Sequence, residues 1–147
     1  MIYLADTNVL LRIVHRTDVR HSIAQAAVHK LEAKSHQLQT TSQNFVEFWN
    51  ASTRPTERNG FGLTPDETDV LLGELEQSFP LLPDSSEVYP IWRQLVVKYN
   101  VSGVQVHDAR LVASMIVHKV AHILTFNVTD FERYASERIV AIDPVAV

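Results

Sequence analysis

Asp6 closes an apolar run, Asp108 opens an amphipathic one, and Asp130 follows a third apolar stretch. Residues that far apart in sequence can still aim their acids at one rim of a folded chain. Carboxylates gathered in this way suit a hard divalent ion such as Mg2+ or Mn2+, which takes oxygen ligands, commonly one or two carboxylates completed by water and substrate phosphate oxygens. The chemistry such an ion supports is phosphodiester hydrolysis, because it acidifies water and stabilises charge building on phosphorus. Each acid also has a plainer reading. Asp6 could cap a helix, Asp108 could complement a helix dipole from the first turn, and Asp130 could cap locally before Phe131.

The elements that would position these acids follow from periodicity. Ile2 to Ala5 reads as a buried strand ending at Asp6-Thr7-Asn8, with a helix from Val9 to Val14. Ile23, Ala26, Ala27, Lys30 and Leu31 repeat at helical spacing up to Ser35, and Gln37 to Thr41 alternates as a second strand. Ser42 is placed to cap a helix carrying Phe45, Phe48, Trp49 and Ser52 on one stripe, ended by Arg54-Pro55. Glu47 lies inside this helix, and between Val46 and Phe48 it could simply face solvent.

Thr64-Pro65-Asp66-Glu67 starts a helix that runs to Phe79, and Pro80 to Pro83 reads as a short third strand. A helix from about Ser86 to Tyr99 ends before Gly103, and Val106, Ala109, Val112, Ala113, Ile116 and Val117 form the clearest amphipathic pattern, with Asp108 in its first turn. His122 to Thr125 is a fourth strand, Asn127 to Tyr134 a short helical segment and Ile139 to Ile142 a fifth strand. Strands alternating with helices predict an α/β fold, a mostly parallel sheet of about five strands with helices on both faces. Open sheets of this kind bind ligands beyond the strands' carboxyl ends, where Asp6 falls.

The length of 147 residues predicts one domain spanning 1–147 with its own core. Apolar residues at 46% and charged residues at 20% argue against disorder. The absence of cysteine excludes disulfides, thiolate zinc sites and a cysteine nucleophile, and fits a cytoplasmic location. Met1 to Val14 is interrupted by Asp6, Asn8 and Arg12 and reads as neither signal peptide nor membrane span. The net charge of −4 is unusual for a nucleic-acid binder, but setting aside Asp6, Glu47, Asp108 and Asp130 as metal ligands leaves the rest neutral. A bound cation would then reverse the local field.

Taken in order, Asp6-Thr7-Asn8, Glu47 in an aromatic helix, His107-Asp108-Ala109 and Leu124-Thr125-Phe126-Asn127-Val128-Thr129-Asp130-Phe131 make a specific set. With them the sequence resembles the PIN-domain nucleases, and more narrowly the VapC family of toxins in type II toxin–antitoxin pairs, over essentially the whole chain. The resemblance implies a PIN-like three-layer fold, Mg2+- or Mn2+-dependent endoribonuclease activity on RNA, a homodimer and an antitoxin partner that blocks the site. By motif match, Asp6, Glu47 and Asp108 would be the metal-binding acids, with Thr7 or Asn8 as polar support. Where many members carry a fourth acid, two residues after Thr125, this chain has Asn127. The expectation is that Asp130 takes part, with Asn127 as an uncharged ligand.

Other features carry less. His118 and His122 have the i, i+4 spacing of a zinc pair but straddle a helix end, so they read as structural, and His107 as a surface residue. Arg12, Arg16, Arg20, Arg54 and Arg58 are candidate RNA contacts or solvated surface, and Trp49 and Trp92 are expected in the core. Asp6-Thr7-Asn8-Val9 resembles the start of a phosphatase motif, with Asn8 where that chemistry needs a general acid. A binding module that keeps the fold without catalysis is the other competing reading.

Overall fold

A computed structural model describes residues 1–147. Strand β1 (Ile2–Ala5) feeds helices α1 (Thr7–Val14) and α2 (His21–Ala33), then β2 (Gln37–Gln39) and α3 (Ser42–Thr53). Helices α4 (Pro65–Ser78), α5 (Val88–Lys98) and α6 (Val106–Val117) precede β3 (His122–Leu124), a 3-10 segment at Val128–Glu137, and β4 (Val140–Ile142).

The sheet is parallel throughout, in the order β2-β1-β3-β4, with Tyr3 opposite Leu38, Leu4 opposite Ile123 and Leu124 opposite Ile142. Strand side chains alternate between faces, and the core divides accordingly. Tyr3 and Ala5 join Val9, Leu10, Leu31, Phe48 and Leu75 on the side of α1 to α4. Leu4 and Ile123 join Leu95, Val112, Met115, Phe131 and Tyr134 on the side of α5, α6 and the 3-10 segment. Both faces are therefore covered, and β1 reads as a continuous apolar run for that reason, whereas the edge strand β2, Gln37-Leu38-Gln39, buries only Leu38.

Four expectations need correction. Pro80 to Pro83 forms no strand: Thr40 and Leu81 make an isolated parallel bridge, held by Thr40 N–H on the Pro80 carbonyl at 3.0 Å and Leu82 N–H on the Thr40 carbonyl at 2.8 Å. Proline has no N–H to give, so prolines at both ends of this stretch leave too few donors for a longer ladder, and the sheet has four strands. Thr41, not Ser42, caps α3, its hydroxyl accepting from the Asn44 N–H at 3.2 Å, whereas the Ser42 hydroxyl donates to Asp84. Trp49 and Trp92 are only half-buried, and the Trp92 indole N–H reaches the Val106 carbonyl at 2.9 Å. Helix α6 is buried more widely than one stripe, since Leu111 and Met115 are enclosed along with Ala109, Val112 and Ala113.

Candidate active site: acids at the carboxyl rim of the sheet

Asp6 begins where β1 stops, and its backbone N–H still donates to the Leu124 carbonyl of β3 at 3.0 Å, so the sheet fixes its position. Its side chain is buried, at 6% exposure, and does two things at once. Oδ1 accepts from the Thr7 N–H at 2.7 Å and so caps α1, while Oδ2 accepts from the Thr125 hydroxyl at 2.8 Å and from Asn8 Nδ2 at 3.2 Å. Thr125 follows β3 as Asp6 follows β1. Its Oγ1 also accepts from Asn8 Nδ2 and from the Asn127 N–H, both at 3.0 Å, and Asn8 Oδ1 takes the Phe126 N–H at 3.0 Å.

Helix α3 brings in Glu47. The Thr7 hydroxyl donates to Oε2 at 2.7 Å and Gln43 Nε2 donates to Oε1 at 2.9 Å, so both carboxylate oxygens are held. Asn44, fully buried one turn earlier, ties the helix to α1. Its Nδ2 donates to Thr7 Oγ1 at 3.1 Å and to Asp6 Oδ1 at 3.4 Å, and its Oδ1 accepts from the Thr41 hydroxyl at 2.6 Å. The chain of donors therefore runs in one direction, Thr41 to Asn44 to Thr7 to Glu47. Gln43 Nε2 also reaches the His107 carbonyl at 2.9 Å, which links α3 to the start of α6 beside Asp108.

The acids act on one another. Asp6 is pushed up to about 6, first by burial and then by the charges of Glu47 and Asp130, against the lowering hydrogen bonds from Thr125 and Thr7. Asp108 is pushed up to about 7, again first by burial and then by the charges of Asp6, Asp130 and Glu47; Arg133 draws it down. Asp6, Glu47, Asp108 and Asp130 thus lie within electrostatic reach of each other. Asp130 and Asn127 are exposed at the start of the 3-10 segment, where the Asp130 N–H donates to the Asn127 carbonyl at 3.1 Å.

No three His, Asp or Glu side chains form a closed ligand set. Mg2+ seldom needs one, since it keeps several waters and often binds through one or two carboxylates. Two acids pushed up by burial and by neighbouring negative charge, one of them buried away from solvent, form a donor set that a hard cation relieves, so the residues present fit such an ion.

Asn44, Gln43 and Thr125 were not assigned roles from sequence. Gln43 and Asn44 precede Glu47 by four and three residues and so share its helix face, a spacing that could have marked them. Thr125 could have been marked as the residue that follows β3 in the way Asp6 follows β1. The expected arginine contacts are largely engaged elsewhere. Arg12 donates to the Asn8 carbonyl at 3.2 Å and pairs with Asp18 at 3.7 Å, Arg20 lies 5.1 Å over the Phe126 ring, and Arg54 donates to the Asn59 carbonyl at 3.2 Å. Arg16 and Arg58 are exposed. His118 bonds the Pro83 carbonyl at 2.8 Å and His122 packs on the Tyr3 ring at 4.9 Å, so the histidine pair has no common ligand.

The sequence matches the family model described as PIN domain over residues 3–137. No curated protein matches it. Among solved structures, the fold is similar to VapBC2 from Rickettsia felis bound to a DNA fragment from its promoter, with a TM-score of 0.70 at 14% identity, covering 97% of this chain and 98% of that one. It is similar also to VapBC-1 from nontypeable Haemophilus influenzae (TM-score 0.69, 15% identity, 98% of each chain) and to FitAcB from Neisseria gonorrhoeae (TM-score 0.68, 19% identity, 100% of each chain). At these identities the likeness is one of fold. The match along nearly the whole sequence agrees with the parallel sheet that carries its acids at one rim: the chain belongs to the PIN-domain family.

Proposed function

We propose that this chain is a metal-dependent endoribonuclease and the toxin of a toxin–antitoxin pair. PIN domains are generally nucleases and typically use divalent metals. The observation that carries the reading is the pair Asp6 and Asp108, held at about 6 and about 7 by burial and by each other's neighbours, at the end of the sheet where open α/β folds bind ligands. Burying carboxylates beside one another is a standing cost in the metal-free chain, and binding a divalent ion offsets it.

Asp6, Asp108 and Glu47 would hold Mg2+ or Mn2+, with Asp130 and Asn127 completing the set from the 3-10 segment. The bound ion would supply a nucleophile at neutral pH and charge stabilisation at the scissile phosphate. The protein's own share is positional. Thr125 and Asn8 orient Asp6 Oδ2. Thr7 and Gln43 orient the two oxygens of Glu47, and Asn44 fixes Thr7, so Asp6 and Glu47 are aimed before substrate arrives.

The solved VapBC and FitAB structures, together with the VapC-like motif order, support an antitoxin partner. We read the chain as a single domain, cytoplasmic, and a homodimer. No helix is long and apolar enough to cross a membrane. Incubation of a mixed tRNA and rRNA pool with Mn2+ tests the activity. Wild type is expected to produce discrete fragments, and Asp6→Asn and Asp108→Asn to leave the RNA intact. Equal cleavage by the variants and wild type would remove the acids from the mechanism.

A further inference from the structure

Two arginines, Arg110 and Arg133, form no ion pair. The ion pairs of the chain are Arg12 with Asp18 and Lys98 with Glu137. Arg110 on α6 instead donates through Nη1 to Gln43 Oε1 at 2.9 Å, the same amide whose Nε2 holds Glu47. Arg133 donates through Nη2 to Gln105 Oε1 at 3.0 Å, and it is near enough to Asp108 for its charge to favour the carboxylate. Both arginines are exposed.

A glutamine carbonyl fixes one corner of a guanidinium without cancelling its charge. Most of the five N–H donors are left for another acceptor, in the planar fork that matches two oxygens of a phosphate. An aspartate in the same place would have neutralised the group instead. Arg110, two residues past Asp108 on α6, reaches Gln43 beside Glu47, and the charge of Arg133 acts on Asp108, so both arginines adjoin the acid cluster. A chain of net charge −4 with four acids close to one another repels a polyanion, and fixed cations beside them restore local attraction.

We propose that Arg110 and Arg133 are paired backbone-phosphate grips that seat single-stranded RNA across the acid cluster, each taking a phosphate that flanks the one attacked. This deepens the nuclease reading above and rests on it. The grips read charge and backbone, so they contribute affinity without base preference.

The test is fluorescence anisotropy of a short dye-labelled single-stranded RNA with the full chain, without added metal, across a potassium chloride series. Arg110→Gln and Arg133→Gln should each make the plot of log affinity against log salt shallower by about 0.7, and the double variant by both losses. Arg110→Lys should keep the wild-type slope with weaker binding, because the charge stays and the fork is lost. Arg93→Gln, an exposed arginine on α5, is the control and should change nothing. Unchanged slopes in both glutamine variants, or an equal loss in Arg93→Gln, would overturn the proposal. If those slopes are unchanged while wild type cleaves RNA with Mn2+, only the grips are removed. A wild type that neither binds nor cleaves RNA removes the nuclease reading with them.

Discussion

Asp6 serves as both helix cap and candidate ligand, one oxygen for each role, so the plain and the chemical readings of its position are both true. Its hydrogen bonds set its acidity. Thr125→Val removes the hydroxyl that favours the charged form while keeping the side-chain shape, so the acid side of the pH–rate profile should move to higher pH. An unmoved profile would mean that Asp6 does not govern it. In the metal-free protein, Asp6 and Asp108 hold protons up to about 6 and about 7, against 3.8 for each in the unfolded chain. The folded state therefore binds more protons across that window, and stability falls as pH rises from about 4 to about 7. The Asp6 displacement alone corresponds to about 3 kcal/mol. Metal-free Asp108→Asn should melt higher than wild type at pH 7.5 and show a flatter pH dependence in thermal denaturation; equal melting at every pH would show that the acids do not strain one another. Asp6 and Asp108 could be found in the sequence because each sits at the edge of a strong hydrophobic pattern. The spacing of Asn44 from Glu47 marks it only as sharing a helix face; its role needs its partners on another element, because a buried amide at the start of a helix otherwise looks like any polar cap.

At the scale of elements, α3 carries the most site structure. It presents Gln43, Asn44 and Glu47 to the site while Phe48, one turn past Asn44, fills the core, fully buried. Asn44→Ala strips Thr7 and Thr41 of buried partners and should cost about 1 to 3 kcal/mol. It should also impair cleavage, because Thr7 loses the donor that orients it toward Glu47. Phe48→Ala, by contrast, should cost about 3 to 5 kcal/mol through the cavity it leaves, yet retain Mn2+ binding in whatever fraction stays folded. Urea denaturation with parallel metal titration separates the two, and equal losses of metal binding per folded molecule would contradict this division. The periodic helices, the three largely apolar strands and the alternating β2 were legible because burial imposes the pattern directly. The stretch Pro80 to Pro83 was misread because its hydropathy resembles a strand while its prolines withhold the donors a strand needs. The cap of α3 shifted from Ser42 to Thr41 because both are good capping residues and only the Asn44 side chain decides between them.

For the whole molecule, the fold was legible because alternating strands and helices leave few ways to cover both faces of a parallel sheet, and that topology puts Asp6 and Thr125 side by side at the carboxyl rim. What sequence could not show is how the acids relate once assembled: within each other's field, yet not closed into a ligand cage. An ion that binds only the folded state must stabilise it, by about 2.7 kcal/mol at a hundredfold excess over Kd. Millimolar Mn2+ should accordingly raise the melting temperature and reduce the loss of stability toward neutral pH. The most direct measurement is calorimetric titration of Mn2+ into wild type, Asp6→Asn and Asp108→Asn, each shown to be folded by circular dichroism. The account predicts saturable binding to wild type that is lost in both variants. Binding of equal strength in all three proteins, or none in wild type, would contradict it.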